Sequence, residues 1–256
     1  MKDLYKDIKI LIIGDSCEDK FIYGHVVRLA PEGPVPVFNP EYSKSNGGMA
    51  LNVKANIEAI GAETTLITQT EEIVKTRYVD ERTNSLLLRV DDEKKVSRIN
   101  PFILVSIVDN TYNGVYYDAI IVSDYCKGFL TESDIGRISI RNSNVFLDTK
   151  KILGDWCTSC DYIKINHTEF DRTKHTIDQL DILDKLIITR SDEGCEYKGI
   201  IYPVEKVNIK DVSGAGDTFI SGLVCELMRT KDVVQAVKFA QDCATKVVQK
   251  KGVCTI

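Results

Sequence analysis

The sequence predicts an α/β protein, with one doubly wound, mostly parallel sheet and a small antiparallel β-flap serving as a lid. Three observations lead there. Short, continuous apolar runs recur along the chain, as expected of strands buried on both faces of a parallel sheet. Longer stretches with apolar residues at helical spacing lie between them. Two strand-like segments rich in Gly, Pro or charge break the alternation. A chain of 256 residues suffices for one domain with a sizeable core. Residues 1–256 are therefore read as a single domain, with flap segments at about 16–45 and 84–100.

The first strand is "IKILIIGD" (8–15), a buried run that ends in a turn. "FIYGHVVRLAPEGPVPVFNPEYSKS" (21–45) supplies the first flap segment. "GGMALNVKANIEAIGA" (47–62) reads as a helix that starts at a double glycine, carries Met49, Val53, Ile57 and Ile60 on one face, and stops at Gly61. "NSLLLRVDDEKKVSRI" (84–99) supplies the second flap segment. Four more strands follow: "YDAIIVSDY" (117–125), "NVFLDTK" (144–150), "DYIKIN" (161–166) and "KLIITRSDEG" (185–194). Two helices close the chain, "DTFISGLVCELMRT" (217–230) and "KDVVQAVKFAQDCATKVVQKKG" (231–252), the second stopped by Gly252. Their apolar stripes are core packing. The five strands finish on Asp15, Asp124, Asp148, Asn166 and Thr189. Ligands of open parallel sheets bind beyond the carboxyl ends of the strands, so these polar ends are expected to ring one site.

Composition excludes several roles. Hydrophobic residues make up 43% and charged residues 28%, ordinary for a globular protein. The net charge is −5 and no segment concentrates basic residues, which argues against nucleic-acid binding. No apolar run reaches spanning length, and the N-terminal run from Ile8 to Ile13 is interrupted by Lys9, so neither a membrane span nor a signal peptide is read. The expected location is cytoplasmic. The eight cysteines then read as reduced thiols that pack like small apolar residues. Cys157 and Cys160 form one C-x-x-C pair, but no second pair and no histidines at ligand spacing accompany them.

The stretch that carries chemistry is "DVSGAGDTF" (211–219). Gly214, Ala215 and Gly216 allow successive backbone N–H groups to point at one spot, where a helix N-terminus adds partial positive charge. That arrangement suits a phosphate or a developing anion. Asp217 follows at the helix start. A carboxylate beside a phosphate works against binding alone, because like charges repel, but suits a general base that takes a proton from an attacking hydroxyl. A plain helix cap is the other reading of the same aspartate.

"DVSGAGDTF" resembles the C-terminal signature of the ribokinase-like (PfkB) carbohydrate kinases, and "GGMALN" (47–52) resembles their N-terminal glycine pair. "RLAPEGPVPVF" (28–38) is similar to the Arg-Ile-Ser-Pro-Glu-Ala-Pro-Val-Pro-Val run of the D-glycero-β-D-manno-heptose 7-phosphate kinases, which occur alone or as the kinase half of bifunctional heptose kinase/adenylyltransferases. "IIVSDYCKGFL" (120–130) resembles their Ser-Asp-Tyr-Ala-Lys-Gly segment, and "INHTEF" (165–170), "ITRSDEG" (188–194) and "KKGVCTI" (250–256) fall in family order. The resemblance implies a ribokinase-like fold and a kinase that moves the γ-phosphate of ATP, with Mg²⁺, to a sugar hydroxyl. In the heptose branch that hydroxyl is O1 of heptose 7-phosphate.

It also implies roles for residues. Asp217 is the expected base, with the Gly214, Ala215 and Gly216 amides as anion hole. Asn166, His167, Thr168 and Glu169 are expected at the nucleotide phosphates, Glu169 meeting Mg²⁺ through water, and Thr189, Ser191 and Gly194 along the nucleotide. Asn166 and Glu169 read equally well as a helix capping pair. Asp15, Gly47, Gly48, Asn52 and Asp124 are expected at the sugar, with Arg28, Arg89, Lys127 and Lys150 as candidate cations for its phosphate. The two flap segments suggest a homodimer clasped through the β-flap. No adenylyltransferase half is read, so a separate enzyme is expected to supply that step.

Three departures from the pattern stand out. The family's Asp-Pro-Lys is "DTK" (148–150) here. Three residues, Met49, Ala50 and Leu51, separate the glycine pair from Asn52, as in the wider sugar-kinase family rather than the heptose branch. After "GAETTLITQT" (61–70) roughly one βα unit is absent. A kinase for another sugar, or a catalytically weak sugar- or nucleotide-binding protein, therefore stand as alternatives.

Overall fold

The computed structural model describes residues 2–256. β1 (Lys9–Gly14) passes directly into two long hairpin strands, β2 (Ser16–Leu29) and β3 (Pro36–Met49). Helix α1 (Ala50–Ile60) returns the chain to β4 (Glu63–Ile67), and β5 (Val74–Asp80) and β6 (Leu86–Asp92) follow. The short helix α2 (Pro101–Ser106) and the strands β7 (Thr111–Tyr112) and β8 (Val115–Tyr116) lead to β9 (Ala119–Asp124). Then come α3 (Glu132–Arg141), β10 (Val145–Thr149), β11 (Tyr162–Asn166) and α4 (His167–Ile177). β12 (Leu186–Thr189), β13 (Cys195–Tyr197) and β14 (Ile200–Tyr202) complete the strands, and α5 (Ala215–Thr230) and α6 (Val233–Val248) end the chain.

The large sheet has the order β14-β13-β12-β11-β10-β9-β1-β4. Every pairing from β4 across to β12 is parallel, and the β12–β13–β14 edge is antiparallel. The strands alternate between two buried layers, which is why they read as unbroken apolar runs. Ile10, Ile12, Ile121 and Phe146 pack with α1, α5 and α6. Leu11, Ile13, Val122, Leu147 and Ile163 face the opposite core with α3. The two sides are those of a doubly wound sheet. Cys157 and Cys160, read from sequence as reduced thiols that pack like small apolar residues, are free and buried in this second core.

The smaller sheet has the order β3-β2-β5-β6. Two of its pairings are antiparallel, while β2 and β5 run parallel. β5 was not read as part of the flap. The second flap segment is shorter than its apolar pattern suggests: the strand ends at Asp92, and Ile99 N–H instead donates to Phe129 O at 2.8 Å.

Three element boundaries differ from the sequence reading, each for a local reason. Gly47 and Gly48 do not open α1; they continue β3, paired with Glu18 and Cys17, and the helix begins at Ala50 after Met49 turns the chain at φ 57°. α5 starts two residues before Asp217, because Gly214, at φ 80°, makes the turn and takes Ala215 and Gly216 into the first helical turn. α6 ends at Val248, not at Gly252, because the N–H groups of Lys210 and Asp211 bond the Val248 carbonyl. α3, unmarked in the sequence reading, opens with a reciprocal capping box of Thr131 with Asp134, and α4 with the Asn166–Glu169 capping pair that the sequence offered.

Phe146 is fully buried and stacks on Tyr162 with ring centroids 5.2 Å apart. Phe146→Ala is expected to cost about 3–5 kcal/mol by urea denaturation. A loss below about 1 kcal/mol would mean that the sheet closes over the gap.

Candidate active site

Adjacent strands bring the five polar ends together. In the order β12, β11, β10, β9, β1 they finish at Thr189, Asn166, Asp148 with Thr149, Asp124 and Gly14–Asp15. The N-terminal turn of α5 lies above this row. Asp217 is only 4% exposed and does not cap its helix. Its two oxygens accept from Asn52 Nδ2 at 2.9 Å and from the Tyr125 hydroxyl at 2.6 Å. Burial pushes its carboxyl up to about 6, against the bonds from Tyr125 and Asn52 that pull it down; Asp148 adds repulsion and Lys164 attraction.

Asn52 ties α1 to α5. Its amide also reaches the Gly214 carbonyl at 3.5 Å, and its own oxygen accepts from Asn56 at 3.1 Å. Tyr125 stands in the turn after β9, shaped by Asp15. The Asp15 carboxylate accepts from the backbone N–H groups of Tyr125 (2.8 Å), Lys127 (3.2 Å) and Phe129 (3.3 Å). Asp124 is likewise engaged, by Lys151 at 2.7 Å. These two carboxylates build the loop rather than standing open toward a ligand.

A cleft of about 300 Å³ opens on the other side of the α5 N-terminus. It joins Thr189, Ser191 and Gly194 to Ala215 and Gly216, and its far wall is apolar: Val204, Val207, Ile209, Phe219 and Val248. Polar groups at one end and an apolar slot at the other suit a nucleotide base and its phosphates. Asn166, His167 and Thr168 do not line it. Asn166 and Glu169 form the capping box of α4, each backbone N–H donating to the other side chain at 2.8 Å. The remaining Glu169 oxygen is held by Lys150. Among the described residues no cluster of three or more His, Cys, Asp or Glu side chains is placed to hold a metal. Both Glu169 oxygens are thus engaged within the protein, and Glu169 does not line the cleft.

The predicted cations separate. Arg28 is exposed near the hairpin end, Arg89 pairs with Asp91 on exposed β6, and Lys127 pairs with Glu93. Lys150 lies 5.3 Å from the centre of the Tyr125 ring; burial works to lower its pKa, but Asp148 and Glu169 win and hold it above the ordinary lysine value. The sequence reading gave Asp148 only as a polar strand end and missed Lys75, Tyr125 and Lys164. Lys75, on β5, is 8% exposed, sits 5.8 Å from the centre of the Tyr125 ring, and makes no hydrogen bond or ion pair among the described residues. Tyr125, Asp148 and Lys164 complete the surroundings of Asp217. An ammonium in the otherwise apolar "YIKI" was the visible signal for Lys164.

The second half of the chain resembles the pfkB family of carbohydrate kinases. The family profile described as "pfkB family carbohydrate kinase" matches residues 137–256. Among curated proteins the chain is 29% identical over 298 residues to the bifunctional protein HldE of Vibrio vulnificus (strain YJ016), covering 98% of this chain and 62% of the relative. A Rhodopseudomonas palustris (strain BisB5) protein of the same name is 28% identical over 302 residues, covering 96% and 61%. The chain thus spans less than two thirds of the length of these relatives. The aligned length exceeds the chain's 256 residues, so the relatives carry segments that this chain lacks. Residues 68–73 alone link β4 to flap strand β5, in keeping with the shortening read from sequence.

Solved structures share the ribokinase-like fold. A nucleoside kinase from Methanocaldococcus jannaschii, an archaeal member of the ribokinase family, superposes with TM-score 0.66 at 15% identity, covering 97% of this chain and 94% of that one. Arabidopsis thaliana ribokinase complexed with ribose and ATP gives 0.67 at 15%, covering 96% and 94%.

The Asp217 carboxyl also links stability to pH. An unfolded aspartate titrates near 3.8, and here the folded value is about 6. Between these values the unfolded chain gives up a proton that the folded chain keeps, so stability falls as pH rises. Asp217→Asn, which never ionises, is expected to melt a few degrees above wild type at pH near 8, the gain vanishing near pH 4. An equal gain at both pH values would contradict the assignment.

Proposed function

We propose that this kinase transfers the γ-phosphate of ATP to O1 of a heptose 7-phosphate, most specifically D-glycero-β-D-manno-heptose 7-phosphate, yielding the 1,7-bisphosphate. The observation that carries the reaction class is Asp217, a buried carboxylate oriented by Asn52 and Tyr125 in the same helical turn as Ala215 and Gly216. The run "RLAPEGPVPV", the segment "SDYCKG" and the HldE relatives support the heptose branch.

Asp217 takes the proton of the attacking hydroxyl as its oxygen bonds to the γ-phosphorus. The bond from that phosphorus to the β,γ-bridging oxygen breaks, and ADP leaves. A carboxyl near 6 is ionised at neutral pH yet basic enough to accept the proton. The Gly214 and Gly216 amides and the α5 N-terminus stabilise the charge on the group in transit, while the Ala215 N–H is taken by the Val212 carbonyl at 3.2 Å. Mg²⁺, when bound with the nucleotide, neutralises phosphate charge. The apolar cleft holds the adenine.

Lys75 is the anchor for the substrate's own phosphate in this reading. Its ammonium has no hydrogen-bond or ion-pair partner among the described residues and is free to meet an anion. Its place over Tyr125 puts that anion on the flap side of the base. The outer flap strand exposes Leu86, Leu87, Leu88 and Val90, which supports a flap-to-flap homodimer.

The test is ADP release with Mg-ATP over heptose 7-phosphate, sedoheptulose 7-phosphate, fructose 6-phosphate, ribose and adenosine. Heptose 7-phosphate is expected to turn over best, and Asp217→Asn to lower kcat by about 10²–10⁴. Turnover of a different sugar keeps the mechanism and sinks the heptose assignment. Binding of ATP without any turnover sinks the enzyme reading. Lys75→Met is expected to raise KM for the sugar phosphate about tenfold or more, with a smaller change in kcat. An unchanged KM would rule out Lys75 as the anchor.

A further inference from the structure

Beneath the first turn of α5 the sheet carries a polar row in place of its apolar core. Ser123 on β9, Asp148 on β10 and Lys164 on β11 stand in register on adjacent strands. The residues two positions earlier, Ile121, Phe146 and Tyr162, pack in or against the core shared with α1 and α5, so the row faces those helices. All three polar residues are buried, Lys164 to 3% exposure. Lys164 Nζ donates to Asp148 Oδ2 at 2.8 Å. Asp148 Oδ1 and Ser123 Oγ have no partner.

The row bears directly on the α5 turn. A methyl group built at Gly216 would lie 2.8 Å from Lys164 Nζ, so the ammonium occupies the space that a side chain at 216 would need. A side chain at 216 would have to displace this ammonium, the far end of a lysine, from its place beside the turn. A buried ion pair gains little over an apolar pair of the same shape and leaves costly groups exposed to error. Its presence under the reacting turn calls for a use.

We propose that the Asp148–Lys164 pair is a positioning device for the proton-transfer step, setting the charge that faces Asp217 and the seat of the Gly214–Gly216 turn above it. The inference rests on the reading of Asp217 as the base. Groups facing Asp217 come from every element around it: Asn52 from α1, Tyr125 from the turn after β9, Asp148 from β10, Lys150 just beyond β10, Lys164 from β11 and Cys17 from β2. Asn52 and Tyr125 donate directly to the carboxylate. Asp148 works against its ionisation, and Lys164 works for it. Neither touches substrate; they act through Asp217.

The test follows the Asp217 carboxyl directly, by ¹³C NMR titration, with its resonance assigned by its loss in Asp217→Asn. Lys164→Gln keeps a donor for Asp148 and removes the charge; its Asp217 midpoint is expected to rise by about one unit. Asp148→Asn keeps the shape and removes the opposing charge; its midpoint is expected to fall. The acid limb of kcat/KM should move the same way in each variant, with the high-pH plateau retained within a few-fold. Unmoved midpoints in both variants overturn the proposal, as does a loss of rate by one factor at every pH. Should Lys164→Gln fail to fold, Asp148→Asn alone decides by the direction of its shift. Full activity in Asp217→Asn removes the base reading and this role with it. Loss of activity there with unmoved limbs removes only the role of the pair.

Discussion

The hydrogen bond from Asn52 to Asp217 heads a set that joins the two helices on which the site is built, with Thr218 donating to Asn56 and Ser221 to the Val53 carbonyl further along. Asn52 at the start of α1 donates to Asp217 at the start of α5, and both residues are buried. Each helix enters from a different direction. α1 comes off the flap strand β3, whereas α5 follows the loop after β14. The bond fixes where the two N-termini converge over the sheet, and the remaining parts take their places from it. Tyr125 reaches the same carboxylate from the turn that Asp15 holds in shape. The energetic logic is that of a buried charge, stable only while its hydrogen bonds are intact.

The flap and the sheet divide the work. The sheet side offers backbone N–H groups, a helix terminus and an apolar cleft. The flap side offers Lys75 and the ion pair of Arg77 with Asp19. Asp217 lies at the boundary. Asp217 thus has an unpaired ammonium on the flap side and the N-terminus of α5 on the sheet side, the setting in which the proposed proton transfer would take place.

Much of this was legible in the sequence. The parallel strands were visible because each is buried on both faces, and the site's place followed from their polar ends. Gly214, Ala215, Gly216 and Asp217 are contiguous, so their shared place at the head of α5 showed in one short string. Thr189, Ser191 and Gly194 were legible for the same reason. Tyr125, Asp148, Lys164 and Lys75 come from four separate segments, and only the order of strands in space brings them together. β5 was missed because its residues, "VKTRYVD", carry three charges and read as a connection. Among the cations, Lys127 drew attention by its motif and Arg89 was named from the flap segment, yet each is neutralised by a neighbouring carboxylate that sequence could not pair with it. Gly47 and Gly48 were misread as a helix entry because a glycine pair ends a strand as readily as it opens a helix.

The short passage from β4 to β5 leaves β4 as the last strand on its side of the large sheet. Half of its backbone donors and acceptors therefore face outward with no strand beside them. The strand is brief and opens with Glu63, which pairs with Lys9 at 3.7 Å, and charge of this kind discourages a foreign strand from adding on. The trimmed margin lies beside β1, on the far side of the sheet from the nucleotide cleft. Evolution has room to lengthen or shorten the protein there while the reaction centre keeps its form, and a grafted strand would find a ready template.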